Sequence, residues 1–186
     1  MEVVIPGEGL WRDALLVLGG SILIALMAQV AIPLPFSPVP VTGQTFAVLL
    51  VGAVLSSRRG ALSLLAYLAE GAVGLPVFAG GGSGLPWLLG PTGGYLVGFV
   101  AAAWMVGSLC ERGWDRQVRT AALAMLAGNG VIYLFGVPWL AHFVGVERVL
   151  ALGLWPFVPG DLVKLALAAL ALPSAWRLVG RAAAWE

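Results

Sequence analysis

An acidic and a basic residue three positions apart, Asp161 and Lys164, stand near the head of an apolar run that starts at about residue 159. On a helix this spacing puts both on one face, about one turn apart. Ionisable side chains inside apolar spans are costly and usually functional. A carboxylate beside an ammonium carries no net charge, yet offers a polar ligand both an acceptor and a donor. The competing reading is structural. Asp161 caps the helix opened by Pro159-Gly160, and Lys164 pairs with it while its head snorkels outward. Glu70 is a third charged residue within an apolar run, and the sequence names no partner for it.

Two further groups of polar residues lie at the heads of other apolar runs. Thr42, Gln44 and Thr45 follow Val39-Pro40, and Thr92 and Tyr95 flank Gly93-Gly94. Glycines permit close backbone approach, and free N–H groups at a helix start attract anions. Phe36 and Trp87 sit in Pro- and Gly-rich stretches at 33–40 and 80–91. Such stretches serve either as interfacial aromatic anchors or as a lid with glycine hinges. His142 is the single histidine, and without a carboxylate cluster it makes neither a zinc site nor a triad. Asn129 reads as an interhelical hydrogen-bonding residue. Cys110, the lone cysteine, reads as a packing residue. No Gly-x-x-x-x-Gly-Lys-Ser/Thr motif is present, so this chain supplies no P-loop for ATP.

The elements that position these residues belong in a bilayer. Hydrophobic residues make up 60% of the 186, charged ones only 10%, and the mean hydropathy is +0.98. A water-facing domain carries about 25% charged residues. The formal net charge of +1 gives no general attraction for nucleic acid. The expected architecture is an all-α membrane protein, a bundle of six transmembrane helices forming one domain over 1–186. The spans fall at about 14–32, 44–56, 60–78, 92–110, 120–143 and 159–175, with Pro138 bending or ending the fifth. The first stretch lacks a basic leader and a cleavage site, so the first span is expected to stay. With six crossings, Arg12, Arg58, Arg59, Arg112, Arg116, Arg119, Arg177 and Arg181 fall on one side, eight of the ten Lys and Arg residues. The positive-inside rule then sets both termini in the cytoplasm.

Four ordered stretches resemble the BioY family, the biotin-specific S components of energy-coupling factor (ECF) transporters. They are Ile32-Pro-Leu-Pro-Phe-Ser-Pro-Val-Pro-Val-Thr-Gly-Gln-Thr-Phe46, Gly74-Leu-Pro-Val-Phe78, Gly90-Pro-Thr-Gly-Gly-Tyr-Leu96 and Pro159-Gly-Asp-Leu-Val-Lys164. The resemblance implies six membrane helices in a prokaryotic cell membrane. It also implies capture of biotin from outside, and coupling to a transmembrane T component with two ATPase subunits. Some members act alone. It implies no cofactor, no metal and no enzymatic activity. It further implies that Asp161 and Lys164 contact the ligand. The ureido ring suits this pair, although the inverse arrangement, with Lys164 on the carboxylate, stays open. Phe36, Trp87 or Tyr95 can wall the apolar ring. Thr42, Gln44, Thr92 or the Gly93-Gly94 backbone can meet the valerate carboxylate. Ser21 and Ala25 are the nearest match to the small-residue docking pattern on the first helix. The rivals are an S component for another vitamin, an intramembrane enzyme and a structural scaffold.

Overall fold

The structure, a computed structural model, describes residues 9–182. In lipid every backbone N–H and C=O needs a partner within the chain, and helices supply it locally. The apolar runs accordingly become α1 (Leu10–Gln29), α2 (Gln44–Ala72), α3 (Leu85–Leu88), α4 (Gly93–Glu111), α5 (Val118–Val144), α6 (Val146–Gly153) and α7 (Val158–Ala182). Of these, α1, α2, α4, α5 and α7 are long and apolar enough to cross a membrane. Two-residue strands, β1 (Ala31–Ile32) and β2 (Val41–Thr42), pair antiparallel with Ala31 opposite Thr42. They turn the Pro-rich stretch between α1 and α2 into a hairpin.

The long α2 is broken. Ser56 has φ 75° and ψ 169°, outside the helical region. A Cβ added to Gly60 would lie 2.9 Å from the Cα of Gly52. Residues eight apart on an unbroken helix are about 12 Å apart, so the chain folds back at Ser56. A non-glycine residue at positive φ costs on the order of 1–3 kcal/mol and persists only where its surroundings hold it. Here the hold is Glu111 at the end of α4. Its Oε1 accepts the Ser57 N–H and the Ser57 hydroxyl, both at 2.8 Å. Close glycine contacts then seat both arms of α2 on α4. A Cβ on Gly52 would fall 2.5 Å from the Ala103 carbonyl oxygen, and one on Gly107 would fall 2.4 Å from the Ser57 nitrogen.

Gly20, Ser21 and Ala28 of α1 face inward. Ser21 is fully buried and donates its hydroxyl to Glu70 on α2. A Cβ on Gly20 would lie 2.5 Å from the Ser63 hydroxyl. Ala25 is half-buried against the core. Ser21 therefore cannot form a subunit-docking face, because it is occupied in packing α1 on its own α2. The same bond gives Glu70 the partner that the sequence did not name. Leu15, Leu18, Ile22 and Leu26 are among the exposed residues of α1 instead.

Other expectations shift for local reasons. Helix α2 ends at Ala72, six residues before the expected end of that span, because Gly74 turns the chain at φ +102°. Phe78 then folds back, and its ring fills the space where a Cβ on Gly71 would stand. The connections between α2 and α4 and between α5 and α7 contain the short helices α3 and α6 rather than loop alone. Pro138 does not end α5, which runs on to Val144. Asn129 is buried, and its Oδ1 has no partner among the described residues, so the expected interhelical bond through that atom is not made. His142 is exposed, with Nδ1 3.0 Å from the Pro138 carbonyl oxygen.

Substituting Gly107 by Val should lower stability by about 1–3 kcal/mol, the range for overpacking, since the obstructing atoms are backbone. Gly130→Val, with nothing within 4 Å of the Cβ position, is the matched control that should cost little. Thermal unfolding of both variants in detergent checks the contrast.

Candidate ligand-binding cavity

The cavity lies at one end of the bundle, where β2, the heads of α2, α4 and α7, and the C-terminal half of α5 converge. Arg58 and Arg112 lie at the other ends of α2's first arm and of α4. Val39, Pro40, Thr42, Gln44 and Thr45 line the cavity from the entry to α2, and Ala79 and Trp87 from the Gly-rich connection. Thr92, Tyr95, Leu96 and Phe99 come from α4, Ile132 and Tyr133 from α5, and Phe157, Asp161 and Lys164 from the α7 end.

Asp161 and Lys164 are the centre of its polarity. Their side chains are 8% and 20% exposed, and Nζ lies 3.2 Å from Oδ1. Lys164 also donates to the Thr42 carbonyl oxygen at 2.7 Å and to the Thr45 hydroxyl at 2.8 Å. All three of its N–H groups are therefore engaged inside the protein. The head does not snorkel outward. Thr45 in turn donates to Asp161 Oδ1 at 3.3 Å, and Tyr133 donates its phenol to Oδ2. Asp161 lies in the first turn of α7, but its carboxylate faces side chains of α2, α5 and α7 rather than capping the helix.

A second chain of hydrogen bonds runs from the cavity to the Gly-rich connection. Gln44 Nε2 donates to the Tyr67 hydroxyl at 2.6 Å, and that hydroxyl donates to the Val77 carbonyl oxygen at 3.2 Å. Gln29 Nε2 reaches the Phe78 carbonyl oxygen at 3.2 Å. The connection is thus folded over the cavity and tied down, with Ala79 in the wall. Tyr95 donates its hydroxyl to the Gly153 carbonyl oxygen at 2.8 Å, fastening α6 to α4.

Seven of the residues expected from sequence therefore meet in one cavity: Thr42, Gln44, Trp87, Thr92, Tyr95, Asp161 and Lys164. Phe36 does not join them. It is 58% exposed in the hairpin, because the β1–β2 pairing turns the Pro-rich segment outward. Its place in the wall is taken by Phe99, Tyr133 and Phe157. Gly93 and Gly94 serve packing: a Cβ would fall 1.9 Å from the Leu88 carbonyl oxygen and 2.2 Å from Trp139 Cβ. The Gly93 N–H donates to Gly90 at 3.0 Å. Tyr133 is the polar cavity residue the sequence concealed. A tyrosine in an apolar run reads as an ordinary membrane aromatic, and only its position one turn beyond Asn129 hinted at a polar face.

The sequence profile of the BioY family matches residues 4–181. The chain belongs to the BioY family. The biotin transporter BioY of Rhizobium etli is 40% identical over 168 residues, covering 86% of this chain and 90% of that protein. The probable biotin transporter BioY of Pyrococcus horikoshii is 45% identical over 76% of this chain and 82% of its own length. The biotin transporter BioY of Thermotoga maritima is 42% identical over 80% and 86%. The fold matches the crystal structure of the S-component for biotin from an ECF-type ABC transporter. The TM-score is 0.75 over 90% of this chain and 92% of that one, at 23% identity.

In this BioY-family cavity, hydrogen-bonding capacity divides by place. Around Asp161 the donors are engaged, while Oδ2 and the phenol oxygen keep acceptor capacity. Among the described residues, the Thr92 hydroxyl and the Trp87 indole N–H, which also line the cavity, make no hydrogen bond. The site is electrically neutral when empty, and its two charges are mutually dependent. Removing one partner of a buried pair costs about 3–5 kcal/mol, because the other charge is left uncompensated. Lys164→Met alone should therefore destabilise the chain more than the double variant Asp161→Asn/Lys164→Met. Thermal melts in detergent supply the comparison.

Proposed function

We propose that the cavity captures biotin from outside the cell and that the chain is the substrate-binding subunit of an ECF transporter. The buried Asp161–Lys164–Tyr133–Thr45 network inside an aromatic wall carries this reading. A cyclic urea presents two N–H donors and a carbonyl on a compact apolar ring. Acceptor capacity at Asp161 Oδ2 and the Tyr133 oxygen meets the N–H groups. Lys164 meets the carbonyl by exchanging its longest bond, the 3.2 Å one to Asp161. Tyr95, Trp87 and Phe157 wall the apolar ring. The free donors of Thr92 and Trp87, with Thr42 and Gln44 nearby, suit the valerate carboxylate. This assigns the ureido end to Asp161 and Lys164 rather than the inverse. Each hydrogen bond to a charged group contributes about 1.5–3 kcal/mol. The relatives in Rhizobium etli and Thermotoga maritima are named biotin transporters, and a substrate shared with them fits this chemistry.

The chain is a multi-pass protein of the prokaryotic cell membrane and a transport component rather than an enzyme. Its reversal at Ser56 supports a reading of six crossings, in which each arm of α2 crosses separately. Both termini and the loops at Arg58 and Arg112 lie in the cytoplasm under the positive-inside rule, and the cavity opens outward. With no P-loop of its own, the chain draws its energy from a transmembrane T component and two ATPase subunits.

Biotin should bind the purified chain tightly. Affinity should fall by at least about tenfold in one or both of Asp161→Asn and Lys164→Ala, the loss expected for one charged hydrogen bond. Titration calorimetry decides: unchanged affinity in both variants would remove the site, and absence of binding to the wild type would remove the substrate. Topology has its own check. In a Cys110→Ala background, a cysteine replacing exposed Phe36 should react with an impermeant thiol reagent on intact cells. One replacing exposed Arg58 should react only after permeabilisation; the opposite pattern reverses the orientation.

A further inference from the structure

Tyr133 holds one of the two oxygens of the carboxylate at the centre of the cavity, from a different helix. It donates to Asp161 Oδ2, while Lys164 and Thr45 engage Oδ1. Its ring stands edge-on to Tyr95, centroids 6.4 Å apart and planes at 86°, which fixes where the phenol oxygen points. Both rings line the cavity. No described residue donates to that phenol oxygen, so a lone pair remains for a ligand.

On the reading of the cavity as a cyclic-urea site, we infer that Tyr133 is a specificity-determining residue that makes the site select a neutral N–H donor over a cation. The carboxylate would otherwise expose an unpaired oxygen inside a low-dielectric pocket. Such an oxygen binds a guanidinium or ammonium strongly, and a guanidinium can engage it in bidentate fashion. With the phenol already donating to Oδ2, a cation must either displace that bond or share the carboxylate beside the Lys164 ammonium. Both alternatives are unfavourable. A neutral urea does neither. Its N–H groups use the remaining acceptor capacity of Oδ2 and of the phenol oxygen, which lie side by side. Tyr133 thus acts on the charge preference of the site as well as on its affinity. A tyrosine that only filled space would leave charge preference untouched.

The test compares biotin with 2-iminobiotin, its cyclic guanidine counterpart, on the purified full chain by titration calorimetry and by competition. Wild type should prefer the urea. Tyr133→Phe, which keeps the ring and deletes one oxygen, should weaken biotin by about tenfold, the loss of one good hydrogen bond at a charged group. The guanidine should hold its affinity or gain, so that the preference narrows at least as much. Tyr133→Leu should narrow it in the same direction, and it serves if Tyr133→Phe does not fold. Equal weakening of both ligands, or no change in either, overturns the inference while leaving biotin capture intact. If the wild type fails to bind biotin at all, the proposed function falls and this inference falls with it.

Discussion

The constraint on which the rest of the structure depends is the presence of two opposite charges, Asp161 and Lys164, at the buried head of a membrane helix. In that setting bulk water compensates them poorly, so their charges have to be met chiefly by the protein, while Oδ2 keeps acceptor capacity toward the cavity. One helix cannot do this. The Thr42 carbonyl and the Thr45 hydroxyl arrive from the entry to α2, the Tyr133 phenol from α5, and the pair itself from α7. Convergence of three elements at one end of the bundle is therefore a requirement of the electrostatics, and the cavity is the space left where they meet.

The remainder of the fold makes that convergence possible. The β1–β2 hairpin sets the register in which Thr42 and Thr45 face Lys164. Glycines let α2 and α4 approach to backbone contact, which holds the head of α4, with Thr92 and Tyr95, beside the head of α2. At the opposite end, Glu111 stabilises the reversal at Ser56, so the two arms of α2 lie against one another and against α4. Further ties are placed at the basic end. Arg59 pairs with Asp13 at 2.7 Å, and the Arg116 guanidinium stacks over Trp176 at 4.6 Å. Most polar contacts thus gather at the two ends, and between them small and apolar side chains dominate, with the Ser21–Glu70 bond as a buried polar tie. This is the division expected when the solvent around the middle is hydrocarbon.

The connections over the cavity combine restraint with access. Phe78 is wedged into the space over Gly71, and Tyr67 links the same segment to Gln44 in the cavity wall. A ligand that engages Gln44 consequently touches a side chain whose other contact fastens the roof. Ser37, on the hairpin, donates to the Leu152 carbonyl oxygen at 2.7 Å, and Tyr95 to Gly153 next to it. The three connections over the cavity are each anchored to a helix by a buried or half-buried hydrogen bond.

What the sequence determined by itself follows from short-range physics. Low charge and long apolar runs dictate helices in lipid, and the spacing of Asp161 and Lys164 makes them neighbours wherever α7 lies. Polar residues at three helix heads mark one end of the bundle, so Thr42, Gln44, Thr92 and Tyr95 were legible as cavity residues beside that pair. What tertiary structure decided depends on which faces meet. A two-residue pairing turned Phe36 outward, although its type and position suited a wall. Close packing of α1 on α2 enclosed Ser21 and gave Glu70 its partner, a contact across 49 positions that no local pattern encodes. Packing of α5 against α7 brought Tyr133 onto Asp161, and it left Asn129 Oδ1 unpartnered among the described residues. Periodicity fixes a residue's place along its own helix; only the rotation of each helix against its neighbours decides what that residue touches.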